Sequence, residues 1–114
     1  PSLAMLAAGK LDRRIDLQQA AVSRDASGGA VETWSTFASA WASARPLSGR
    51  ALQAAQQRAS SADTIFELRH RADISEAARI LHRGEIYQIL WIDDIGRGEG
   101  LHILAQRVRP QAQE

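Results

Sequence analysis

The 114-residue chain contains no cysteine. That excludes a disulfide framework, a thiolate zinc site and a cysteine nucleophile. Lysine is almost missing as well: Lys10 stands beside thirteen arginines, and the formal charge is only +1. A protein that holds duplex DNA chiefly through phosphate contacts usually shows a larger basic excess. No apolar run is long enough to span a membrane. Leu3 to Ala8 is the longest near the start and no basic residue precedes it, so neither a signal peptide nor an anchor is expected. Proline occurs three times, and Pro46 is the only one inside the chain's body.

What is present is the composition of a globular protein, 45% hydrophobic and 24% charged. The length fits one domain over residues 1–114, with 1–8 and 110–114 expected as flexible tails. Charge is slightly uneven: residues 1–60 carry seven basic and four acidic groups, and residues 61–114 carry seven and nine. Arginine in place of lysine fits either a GC-rich coding sequence or a surface made for interfaces, where the planar guanidinium pairs bidentately.

Between Lys10 and Ala20, Leu11, Ile15 and Leu17 share one parity and most charges take the other, the pattern of a half-buried strand. Ser23 to Gly29 reads as a loop in which Gly28-Gly29 supplies the positive φ a hairpin needs. Val31 to Arg45 is a long strand. Its β-formers are Val31, Thr33, Trp34, Thr36 and Phe37, and Pro46 ends it. Phe37 and Trp41 share a parity opposite to Ala38, Ala40, Ala42 and Ala44.

Ser48 to Arg58 changes character. Ser48 is a candidate N-cap, followed by an apolar stripe made mostly of alanine, which predicts about three helical turns docked weakly on the domain. Thr64–Arg71, Arg79–His82, Glu85–Ile92 and Leu101–Val108 read as strands, with a turn at Arg83-Gly84 and a glycine-containing loop from Asp93 to Gly100. The expected fold is mainly β: a small antiparallel β-barrel or sandwich with one short helical insertion at about residues 48–58.

The residues suited to chemistry do not assemble into a motif. His70, His82 and His102 fall on three predicted strands without metal-ligand spacing and read as solvated strand-face residues. Asp93 and Asp94 are neighbours on an extended chain, where side chains point apart. Gly96-Arg97-Gly98-Glu99-Gly100 joins two strands and opens no helix, so it is no phosphate loop. The serines lack a nucleophile-elbow context. No catalytic residue, metal ligand or cofactor is therefore expected. The aromatics Trp34, Phe37, Trp41, Phe66, Tyr87 and Trp91 could stack single-stranded nucleic acid, but in so small a protein they read first as core, Trp91 most of all.

In order, the segments resemble the phage head–tail joining proteins, also called head-closure or head–tail adaptor proteins of long-tailed phages and prophages. The similarity begins at Gly9-Lys10-Leu11-Asp12-Arg13-Arg14-Ile15. It continues through Asp25-Ala26-Ser27-Gly28-Gly29 with Trp34, then Trp41-Ala42 and Pro46-Leu47-Ser48-Gly49-Arg50. Arg71-Ala72-Asp73-Ile74 and Ile80-Leu81-His82-Arg83-Gly84-Glu85-Ile86-Tyr87 carry it further, so that it covers roughly residues 9–108. Asp12, Ala51 and Trp91 depart from the family's usual residues, and Ala51 removes a common acid.

The resemblance implies a non-enzymatic virion protein at the head–tail junction, assembled in the bacterial cytoplasm. Its partners would be identical subunits in a ring of about six or twelve copies, a portal or adaptor ring above and tail or tail-terminator proteins below. Packaged double-stranded DNA would pass through the channel, which the ring prolongs or closes, and no membrane is involved. Two polar segments are the candidate interface or channel-facing sites. One holds Arg24, Asp25, Gly28 and Gly29; the other holds Arg45, Ser48, Arg50, Gln53, Gln56, Gln57 and Arg58. Two alternatives stay open: a stand-alone β-barrel that binds single-stranded nucleic acid, and a small metal-dependent enzyme.

Overall fold

Alanine governs how the sheet curls. The computed structural model describes residues 11–108, and the tails expected at 1–8 and 110–114 lie outside the described residues. β1 (Arg13–Arg24) pairs antiparallel with β2 (Ala30–Pro46) along its whole length. Ala38, Ala40, Ala42 and Ala44 of β2 all face the core, and Ala42 is fully buried. Small side chains on this wall leave room for the bulk of Phe66, Ile15, Leu17, Leu68, Ile80, Ile89 and Ile103, the largest fully buried residues.

After β2 come α1 (Gly49–Gln56), β3 (Thr64–Arg69), β4 (Arg79–His82), β5 (Glu85–Ile95) and β6 (Gly100–Val108). The strand order β1-β2-β3-β6-β5-β4 closes into a barrel, because β4 pairs with β1 at Asp16–Gln18. All pairs are antiparallel. The mainly β fold with one short helix thus matches the sequence expectation, and the barrel form is the one adopted.

Two one-residue irregularities reverse what parity alone suggests. On β5 the register passes from Ile89↔Ala105 to Trp91↔Leu104, which leaves Leu90 as an extra residue. Ile89 and Ile92 therefore face the core, while Trp91 is turned outwards with 37% of its surface exposed. The expectation that Trp91 is the surest core residue is corrected by this bulge. On β2 a similar shift opposite Leu17/Gln18 leaves Phe37 as the extra residue and lets it pack on the core beside Ala38. Trp41, which shares Phe37's parity, stays outside at 53% exposure.

Other boundaries differ in detail. β1 extends into the predicted Ser23–Gly29 loop as far as Arg24, so the turn is confined to residues 25–29. β5 runs on through Asp93 and Asp94 to Ile95, which shortens the predicted Asp93–Gly100 loop. Arg83 (φ 54°) and Gly84 (φ 78°) form the two-residue turn between β4 and β5 where the sequence placed it.

The barrel occupies only part of the molecule. β3 pairs with β2 only at Ala42–Pro46, and β4 reaches only as far as Gln18 on β1. Beyond those points, Gln19–Arg24 and Ala30–Ser35 pair with each other alone, forming a two-stranded ribbon. The longest dimension of the molecule is 56 Å against 28 and 23 Å for the others.

Candidate functional site

The proposed contact residues fall into two groups at opposite ends of β2. Arg24, Asp25, Gly28 and Gly29 form the ribbon's tip. The Asp25 carboxylate accepts N–H bonds from Ser27 (2.9 Å) and Gly29 (2.8 Å), and Arg24 Nη1 donates to the Gly28 carbonyl (2.9 Å). Gly28 takes φ +85°, a conformation that side chains disfavour. A shaped, polar turn is therefore held at the end of an exposed ribbon: every residue from Gln19 to Thr33 is exposed.

The second group follows β2. Arg45 is exposed at its end, and Ser48 sits at the N-cap position of α1 in extended geometry, without a side-chain capping bond. The helix is two turns rather than three. Arg50, Gln53, Gln56, Gln57 and Arg58 are exposed along the helix and the turn that follows it. Ala55 and Ala62, in contrast, are buried against Leu104 of β6, with Leu47, Ala59, Ile65 and Leu90 around them. Backbone bonds from Leu47 N–H to Asp63 (2.9 Å) and from Asp63 N–H to Ala105 (2.9 Å) pin both ends of the segment. The lobe is thus better docked than an alanine stripe suggested, because the Leu90 bulge and Leu104 supply the apolar surface it lacks.

The six aromatics do not form one platform. Phe66 is buried, with Tyr87 edge-on at 5.0 Å. Trp34 lies under Arg79 at the ribbon's base. Trp41 stacks with its cross-strand partner Arg14, whose Cζ is 5.3 Å from the ring centroid. Trp91 lines a groove beside α1. The outward Trp41 was missed in the sequence, although the unbroken alanine face opposite it was the available signal.

The ionisable groups are likewise dispersed. His70, His82 and His102 line three different cavities. His102 Nε2 is 3.8 Å from Glu67 Oε2 across β3 and β6, on the barrel's outer face. Among the described residues, no cluster of three His, Asp or Glu could hold a metal ion. His82 is held below its ordinary pKa by burial, and secondarily by the nearby Arg83 and Arg13 charges. Burial raises the Tyr87 phenol, with Glu85 adding to the effect. Arg71 donates two bonds to Asp73 (2.9 and 2.8 Å), which lowers the Asp73 carboxyl. Among the described residues, no helix is long and apolar enough to cross a membrane.

A sequence model of the phage head completion protein family matches residues 6–108. Among solved structures, the solution structure of protein SF1141 from Shigella flexneri 2a is 26% identical. Its TM-score is 0.73, over 96% of this chain and 100% of that one. A chain from the virion of a native gene transfer agent particle is 20% identical, with a TM-score of 0.54 over 86% of this chain and 96% of its own, a likeness of fold. Among curated proteins, none matches the chain.

Proposed function

The chain belongs to the phage head completion protein family, and from that premise we propose that it is a structural, non-enzymatic virion protein of the head–tail junction. In this reading copies of the chain form a ring between the portal or adaptor and the tail. The ring prolongs or closes the DNA channel and offers the tail a docking surface. Assembly takes place in the bacterial host cytoplasm. The occurrence of a similar fold in a gene transfer agent virion supports the same assignment.

The observation that carries it is the ribbon. Along Ala30–Trp41, one edge of β2 pairs with β1 and the other is open among the described residues. Unpaired N–H and C=O groups on an extended edge are a template for strand addition by a neighbour. Val22 and Val31 add exposed apolar surface near the tip, 70% and 40% exposed. β5 also keeps an unpaired edge beyond Gln88 among the described residues. The β2 edge, however, is continuous with the ribbon that projects from the barrel, which is where sheet-to-sheet contact between copies fits best.

Electron microscopy of the purified protein tests the ring directly, with amide exchange of Ala30–Trp41 as its partner measurement. Rings with slowed exchange on that edge are expected. A protein that stays monomeric at high concentration and on purified portal overturns the ring reading. Stand-alone nucleic-acid binding finds less support, since the aromatics lie on separate surfaces.

A further inference from the structure

The barrel's end opposite the ribbon, where β1, β3 and β5 begin and β2, β4 and β6 end, is a cavity of about 380 Å³. Four arginines line it: Arg13, Arg45, Arg83 and Arg107. They lie up to 94 positions apart in the sequence (107 minus 13), and only the barrel's closure brings them together.

The charge there is only partly balanced. Arg107 pairs with Glu85 at 3.1 Å, and Arg13 lies 3.8 Å from Asp12. Arg45 and Arg83 have no ion pair among the described residues. Asp63, the one carboxylate in the wall, accepts the Arg107 backbone N–H (3.2 Å) and the Thr64 hydroxyl (2.8 Å), so its lone pairs are largely engaged. Ala44, Pro46 and Tyr87 supply apolar wall between the charged groups.

We propose that this mouth is a binding site for an acidic peptide segment of a partner protein, with a Glu or Asp carboxylate seated between Arg45 and Arg83. Guanidinium groups recognise carboxylates through short, charge-assisted bonds, and apolar walls accommodate the peptide's methylene groups. The shape favours a peptide over a DNA duplex. Duplex binding needs phosphate contacts spread over a broad convex or grooved surface, whereas this site is one concavity. The flanking Glu85 and Asp63 carboxylates would face continuous rows of phosphate. Only the source of the peptide rests on the assembly role, because the lining residues all belong to one chain.

The test uses the purified chain and a ten-residue Glu-rich peptide, followed by amide chemical shifts and calorimetry. Shift changes at Thr64, His82, Arg83 and Tyr87 are expected. Arg45→Gln and Arg83→Asn should each weaken binding about tenfold, and the latter leaves the turn an Asn-Gly pair it favours. A Gln-rich peptide of the same length should not bind. No shifts at the mouth, equal binding by the Gln peptide, or tighter binding there of a twelve-base-pair duplex overturns the proposal. A monomer that binds the Glu peptide while forming no rings keeps the site and overturns only the ring.

Discussion

The Arg79 guanidinium sits over the Trp34 ring, its Cζ 4.2 Å from the ring centroid. Arg79 Nε also donates to Gln18 Oε1 at 2.7 Å, and Gln18 Nε2 donates to Thr36 Oγ1 at 3.2 Å. β4 thereby grips the ribbon on both strands just where it leaves the barrel. A cation over an indole and a partly buried side-chain bond each contribute on the order of 1 kcal/mol.

Replacing Arg79 by Met should therefore free the ribbon without unfolding the barrel. Amide exchange should quicken over Gln19–Arg24 and Ala30–Trp34, and the Trp34 emission should shift to the red. Global stability should fall by about 1–2 kcal/mol in urea. A larger fall would mean that the ribbon and the barrel unfold as one unit.

Phe66 of β3, which points into the barrel, and Trp91, turned outwards by the Leu90 bulge, give a contrasting pair of variants. Phe66→Ala empties the centre of the barrel and should cost about 3–5 kcal/mol. Trp91→Ala removes a half-exposed ring from the groove beside α1 and should cost about 1 kcal/mol. Equal costs would place Trp91 inside, against the observed register.

The tip should behave as a local device. Asp25→Ala deletes the acceptor of the Ser27 and Gly29 N–H bonds, so exchange at those two amides should rise severalfold. Because the whole tip is exposed, the melting temperature should move by no more than about 2 °C. A large drop in melting temperature would contradict an independent ribbon.

Acid should weaken the fold in two windows. The folded His82 has a lower pKa than the ordinary 6.5, so as the pH falls below 6.5 the unfolded chain takes up its proton first. That stability is complete above 6.5 and is lost as the pH falls through the folded value. The groups facing His82 are Arg83, Arg13, Glu85, Phe66 and Tyr87. Asp73, lowered by Arg71 from 3.8, adds stability that is lost only below that value. His82→Gln should flatten the first window in pH-dependent urea titrations and leave the second, whereas Arg71→Gln should do the reverse.

The elements with period-two patterning were legible in the chain: β1, β3, β4 and β6 lie close to where alternation put them, and Arg83-Gly84 marked its turn. Bulges were not legible. One extra residue reverses a strand's faces without altering its composition, so the apolar run Ile89-Leu90-Trp91-Ile92 could not disclose that Trp91 points outwards. The candidate contact segments could be read as a polar turn and a polar helical lobe, since glycine, Asp25 and the glutamines declare themselves locally. The arginine-lined mouth could not, because its residues meet only when β4 closes on β1.

β2 belongs to two bodies at once, walling the barrel from Thr36 to Pro46 and forming half of the ribbon from Ala30 to Ser35. Ladder hydrogen bonds lie perpendicular to the strands. A pull on the tip draws both strands the same way and therefore loads the β2–β3 and β1–β4 ladders in shear, many bonds at a time, instead of unzipping them singly. One continuous strand makes the molecule a tie-bar: force applied at the tip reaches the opposite end through the wall of the barrel.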